Sequence, residues 1–442
     1  MLKRLIAGTL ATYLNTGISI LSNLILVPMY LNYLGKEQYG LWLVVLSLVS
    51  YFGFLNLGIT QSVANLVAGA NAKNNLSGIR SIVATGFWLF AALAFIAALF
   101  LAGLFKFIPM DNLIKVSGGL KEVIASLLII SSLFFLLKLP LTVFRVALRS
   151  LNLIYKEQLF VILGTVIQFL GVLLVLVFKI GLIGLAVVYG SAEIIASLII
   201  FMYLVRLIPG LSLSIKLMDK ALVKKLIKPS LYFFLLQFVG ASLIWGADNI
   251  IIAVTLGVSQ VAPYAIAFRF FMMCSGVAGV ITANMLPAIS ASYESDKEKL
   301  SLIYLNALKV CFAIGILSFI LLMNIGPALL IKWVGVNNYV GDSTFYLFVW
   351  LIFIQAILFP ADAILMATGQ HSGYAKLVVL EGLIKITLSL CWVHSWGILG
   401  IITATLISRL CITSWYMFYK AAKVTGLNRE TFIKWVIYGS LR

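Results

Sequence analysis

Nine ionisable side chains lie inside strongly apolar sequence: the cations Lys138, Arg269, Lys309, Lys385 and Arg409, and the acids Glu193, Asp248, Asp362 and Glu381. A charge at the centre of a bilayer costs about 2.5–3.5 kcal/mol on insertion scales, so nine facing lipid would cost on the order of 20–30 kcal/mol. Most must face protein or water, and a polar path across a membrane is the function they suggest. Arginine suits a phosphate on such a path, because its planar fork donates two parallel hydrogen bonds and stays charged. Arg269 is about two helical turns inside its apolar segment, too deep for a loop charge. With the point charges of Lys138 and Lys385, it forms the candidate diphosphate-binding set. Asp248 and Glu381 are the candidates for proton or cation coupling. Gln237 precedes Asp248 by eleven residues, about three turns, which puts both on one helix face.

Each charge also has a purely structural reading. Asp248 and Arg269 suit a fixed bridge between neighbouring helices. Glu381 and Lys385 stand four apart with the acid first, the order that favours a self-neutralising pair. Lys309, about two turns from a segment end, can snorkel to the interface, and Asp362 can cap backbone broken by Pro360. Glu193 lies on a stripe with Tyr189 and Ser197, and Arg409 on one with Thr405 and Thr413.

The elements that must hold these residues follow from composition. Of 442 residues, 63% are apolar and 10% charged, with a mean hydropathy of +1.12; soluble domains run near 45–50% and about 25%. A soluble enzyme or a nucleic-acid binder is thereby excluded. Apolar runs bounded by charges or Gly/Pro/Asn clusters predict spans over 5–31, 39–62, 81–105, 123–145, 158–178 and 181–205, then 230–256, 261–286, 302–331, 344–368, 376–395 and 397–419. The expected organisation is a six-helix lobe over 1–205, a linker over 206–229, a second six-helix lobe over 230–419 and a basic tail over 420–442. The linker carries IKLMDKALVKKLIK, which reads either as an interfacial amphipathic helix or as a solvated connection.

Twelve spans place both termini on one side. With that side cytoplasmic, 21 of the 32 Lys and Arg fall there and 6 on the other, so the formal charge of +18 reads as positive-inside bias. Cys274, Cys311, Cys391 and Cys411 are single and read as packing residues. The apolar start is too long for a cleaved signal and lacks a small-residue cleavage site, so it reads as a first helix.

The halves resemble each other. LGKEQYGLW from Leu34 matches LGVSQVAPY from Leu256. Pro140 and Ala147 match Pro360 and Ala367, Gly164 matches Gly382, and GLIGLA from Gly181 matches GILGII from Gly397, with offsets drifting from 222 to 216. Six spans per half make the repeats parallel. Glu193 and Arg409 occupy corresponding places.

With Asn15 and Pro28 leading into LGKEQYGLW, and ADN (Ala247 to Asn249) leading into LGVSQVAPYAIAFRF, the sequence resembles the multidrug/oligosaccharidyl-lipid/polysaccharide (MOP) flippase superfamily, in its polysaccharide-synthesis branch near the Wzx-like O-antigen flippases. The resemblance covers nearly the whole chain. It implies an all-α polytopic membrane protein, with twelve transmembrane helices in two parallel six-helix repeats around a central cavity, as in MATE transporters. It places helices 6 and 12 toward the outside of each lobe, which favours packing roles for Glu193 and Arg409. It implies movement of undecaprenyl-diphosphate-linked oligosaccharide from the cytoplasmic to the outer leaflet of the bacterial inner membrane by alternating access.

Amides suit sugar hydroxyls, and Asn15, Asn56 and Gln237 are the candidates, weighed against interhelical hydrogen bonding. No aromatic residue is assigned to the substrate. No cofactor is expected beyond coupling to H+ or Na+. The partners are the lipid-linked oligosaccharide, membrane lipids and other polysaccharide-assembly proteins, and no nucleic acid. A cation-coupled multidrug exporter is the alternative, and a membrane glycan polymerase a more distant one. Without a nucleotide loop, metal cluster or nucleophile constellation, the chain does not read as an enzyme.

Overall fold

A computed structural model describes residues 2–56, 58–107, 116, 118–219, 221–224, 226, 246–370 and 372–427. Among these residues the chain is helical with no strand. The helices are α1 (Leu2–Ser50), α2 (Ile59–Ala72), α3 (Leu76–Phe107), α4 (Gly118–Ser150), α5 (Ile154–Val177), α6 (Leu182–Leu207), α7 (Asp248–Thr255), α8 (Val261–Ser295), α9 (Lys297–Val334), α10 (Asp342–Ala367) and α11 (Ser372–Trp396). The last, α12, covers Ile398–Thr425 and includes a π turn at Arg409–Ser414.

Nine described helices are long and apolar enough to cross a bilayer. The first counts twice: its apolar stretch Leu10–Asn56 is 47 residues long, about twice what a bilayer needs. It breaks at Gly35, whose φ of 71° only glycine adopts freely. The bent stretch Val258–Leu286 adds a further span. The seventh expected span lies mostly outside the described residues, and the pattern agrees with the twelve-helix reading.

The second span departs from its expected continuity over 39–62. The α-helix stops at Ser50, Tyr51–Asn56 tightens into a 3-10 turn, and α2 restarts after Gly58 at φ 73°. Asn56 Oδ1 accepts from the Thr60 backbone N–H at 3.2 Å, satisfying a donor that the restart would otherwise leave open. The outward faces are apolar, as lipid requires: Phe95 and Phe100 of α3 are about two-thirds exposed.

The chain forms two compact units, Met1–Phe238 with Gly257–Val261, and Val239–Leu256 with Ala262–Arg442. In the first, α4 packs on α3 and α6, and α1 on α5, around Val83, Phe90, Phe144 and Leu204. In the second, α9 packs on α10 and α11 on α12, and Leu300, Tyr304, Ile364 and Met417 fill a core.

The segment read as a linker is strapped along α3. Trp88 Nε1 donates to Leu213 O at 2.9 Å, Ser81 Oγ donates to Leu217 O at 2.9 Å, and Asp219 N donates to Thr85 Oγ1 at 3.0 Å. Leu211 and Leu226 join the first unit's core.

Close approach of α4 and α6 depends on Gly190. A Cβ there would lie 2.2 Å from Phe134 Cγ, so the small residue sets the interhelical distance. Gly190→Ala should destabilise the first unit by about 1–3 kcal/mol, read as a lowered melting temperature of the detergent-solubilised protein.

Candidate functional site

The first unit holds an open cavity of about 270 Å³ between α1, α4 and α6. Phe134, Phe135 and Lys138 project from one face of α4, at the three- and four-residue spacing of a helix. Trp42 and Tyr189 complete an aromatic wall, meeting edge to face at 5.1 Å between centroids. Tyr189 Oη shares a hydrogen bond of 3.0 Å with Tyr30 Oη, which fixes the ring. Lys138 forms an ion pair with Glu193 of α6 and sits 5.6 Å from the Phe135 ring centroid. The two side chains keep 31% and 47% of their surface exposed, and both line the cavity. Ser131 lines the same cavity, and its hydroxyl has no partner among the described residues. The cavity therefore offers an ammonium, a carboxylate and the partly exposed rings of Phe134, Phe135 and Tyr189.

The second unit treats its charges differently. Lys385 of α11 is fully buried and binds Asp248 of α7, which also accepts from Tyr264 Oη. Glu381, one turn earlier and equally buried, accepts from Arg409 at 3.4 Å and from Thr413 Oγ1 at 2.5 Å. Arg409 also donates to Gln355 of α10 at 3.1 Å, and the Asp362 carboxylate acts on it electrostatically. The π turn places Arg409 and Thr413 together, and Ser414 Oγ donates to Arg409 O at 2.8 Å within it.

Two pairings weighed from the sequence are corrected here. Asp248 bonds Lys385 and Tyr264 rather than Arg269, and Glu381 and Lys385 bond different helices rather than each other. The reason is geometric. Glu381 and Lys385 each reach a residue on a different neighbouring helix, Arg409 and Asp248, and the Asp248 carboxylate is taken up by Lys385 and Tyr264.

The other candidates scatter. Arg269 is half-buried on α8, and Lys309 is exposed on α9. Asn15 Nδ2 donates to Gln158 Oε1 at 3.3 Å, Asn56 restarts α2, and Gln237 lies outside the described residues. No cluster of His, Cys, Asp and Glu among the described residues could hold a metal.

Sequence reasoning passed over the aromatic wall and Glu157. The signal for the wall was the i−4, i−3 spacing of Phe134 and Phe135 before Lys138. Glu157 was obscured by its place at a charged helix end, yet it is fully buried and bound by Arg145 and Arg149.

With this geometry in hand, the chain can be set beside known proteins. The sequence profile of the family described as "Polysaccharide biosynthesis protein" matches residues 5–293. The chain belongs to that family. It is also 24% identical over 246 residues to the multidrug export protein MepA of Staphylococcus saprophyticus, a match spanning 54% of this chain and about half, 53%, of that relative. Among solved structures, an inward-facing multidrug-resistance MATE transporter of the MOP superfamily superposes with a TM-score of 0.71 at 15% identity, covering 92% of this chain and 96% of that one. The lipid II flippase MurJ, inward closed, superposes with a TM-score of 0.69 at 14% identity, covering 95% and 89%. The family member thus carries the MOP-superfamily fold and is a multi-pass membrane protein.

Removing one partner of a buried pair leaves an uncompensated charge. Lys385→Met should therefore destabilise the second unit by about 3–5 kcal/mol. Adding Asp248→Leu should recover most of the loss, read as thermal stability across the double-mutant cycle.

Proposed function

We propose that this protein flips a lipid-linked oligosaccharide, undecaprenyl-diphosphate-linked, from the cytoplasmic to the outer leaflet of the bacterial inner membrane. Both termini are then cytoplasmic, as the Lys and Arg distribution favours. The observation that carries the reading is the exchangeable ammonium of Lys138 in an aromatic-walled cavity of a polysaccharide-biosynthesis family member. A phosphate entering the cavity would compete with Glu193 for Lys138, since both side chains line it. The partly exposed rings of Phe134, Phe135 and Tyr189 then supply the flat surface on which a sugar face can stack. Arg269 belongs to the second unit and is not among the residues that line this cavity. Lys385, buried against Asp248, serves on this reading as a fixed charge rather than a first contact. Asn15 and Asn56 already bond protein and are secondary as sugar contacts.

The activity is transport, without a covalent step. A proton or Na+ gradient is the proposed drive, with Asp248 and Glu381 as the carboxylates it would act through. Either would have to release its buried cation first. Other polysaccharide-assembly proteins are the proposed partners.

A second reading, export of organic cations, is favoured by the exposed Glu193 beside aromatic rings and by the similarity to a multidrug exporter. Deleting the gene in its host discriminates the two. Accumulation of complete oligosaccharide-lipid facing inward is expected. Unchanged lipids with altered dye resistance would mean drug export, and incomplete oligosaccharide would mean synthesis. Lys138→Ala should lower transport by about 10–100-fold, the worth of one charge-assisted hydrogen bond, with normal membrane insertion. Full-length surface polysaccharide in normal amount would remove Lys138 from the mechanism.

A further inference from the structure

A second cationic site lies at the hairpin joining α4 to α5, away from the cavity residues. Glu157, in the first turn of α5, has no exposed surface. Its Oε1 accepts from Arg145 Nε at 2.5 Å and from Arg149 Nη2 at 3.2 Å, and its Oε2 accepts from Arg149 Nη2 at 3.1 Å and Gln158 Nε2 at 2.9 Å. A carboxylate has about four acceptor positions, so this one is saturated. Gln158 in turn accepts from Asn15, which ties the group to α1.

The charges do not balance. Two guanidinium groups share one carboxylate, leaving a net positive charge at a fixed place. The arginines stand four apart on α4, where like charges repel, and their side chains remain 46% and 54% exposed. Neutralising Glu157 needs one arginine. Both bond it, which leaves one positive charge in excess, and the Nη1 groups of both make no hydrogen bond among the described residues. The result is two guanidinium forks one turn apart, oriented by a buried carboxylate and open to the surroundings. Paired forks suit adjacent phosphates, because each can donate two parallel hydrogen bonds to phosphate oxygens.

We propose that Arg145 and Arg149, positioned by Glu157, bind the diphosphate of a lipid headgroup at the membrane interface. The site would capture the headgroup before it reaches the cavity. This deepens the flippase reading and rests on it for the direction of transfer, but binding can be measured without transport.

The test labels arginines of the intact wild-type protein in lipid nanodiscs with phenylglyoxal and maps the modified peptides. Farnesyl diphosphate should slow modification of Arg145 and Arg149 by about tenfold, as expected for a charge-assisted contact, while phosphatidylglycerol should not. Protection by inorganic diphosphate to the same extent would support the diphosphate site and overturn its lipid source. Equal protection by phosphatidylglycerol, or none by farnesyl diphosphate, would overturn the proposal. Two variants separate binding from support of the hairpin. Arg149→Gln should weaken farnesyl diphosphate binding by about tenfold. Glu157→Gln keeps both guanidinium groups and an amide oxygen that can still accept from them, so binding should fall less than in Arg149→Gln. Equal loss in both variants would mark a structural clamp and overturn the proposal. Unchanged lipid-linked glycan on deletion of the gene, with intact protection of both arginines, would instead count against the flippase reading alone.

Discussion

The cost of an unpaired charge in a low-dielectric interior governs this molecule. A buried ion is tolerated only when a partner and further hydrogen bonds replace the water it gave up. Glu157, Asp248, Glu381, Lys385 and Arg409 all meet that condition, each bound by a residue on another helix. These contacts decide which helices must stay together: α4 with α5, α7 with α11, and α11 with α12. Apolar packing alone would specify this less sharply, because lipid tails solvate a leucine as well as a neighbouring helix does.

The repeat shows how one scaffold reaches two electrostatic outcomes. Glu193 on the sixth span bonds Lys138 on the fourth, and its counterpart Arg409 on the twelfth bonds Gln355 on the tenth. The helix pairing is kept while the charge is reversed. What differs is the eleventh span, where Glu381 beside Gly382 reaches Arg409 and closes the group. The fifth span has Leu163 beside Gly164 at the matching place, with no carboxylate to contribute. The first unit consequently keeps an exposed ion pair at a cavity, and the second keeps a buried network. An exposed pair can exchange its partner for a ligand, whereas a buried one resists exchange. The proposed substrate contact, Lys138, accordingly lies in the first unit.

Much of the architecture was legible from apolar run lengths, because a bilayer sets a length that sequence must match. The break at Gly35 and the restart at Gly58 were less so, since hydropathy is blind to backbone dihedrals. Lys138 and Glu193 were identifiable as charges that lipid would reject, but their meeting was not, because spacing along one helix says nothing about which neighbour faces it. The same limit explains Glu381 and Lys385, whose i, i+4 spacing suggested a pair that tertiary contacts override. Glu157 was hidden for a different reason. Near a span end a carboxylate looks solvated, and only packing of α1 and α4 around it buries the group.

The central claim is that the first unit's cation is wet and exchangeable while the second unit's is dry and fixed. Acetylation of the native protein with a water-soluble amine-reactive ester, followed by peptide mapping, tests it without any substitution. Lys138 should be modified in the folded protein, and Lys385 only after unfolding. Modification of both lysines at similar rates in the folded state would contradict the account.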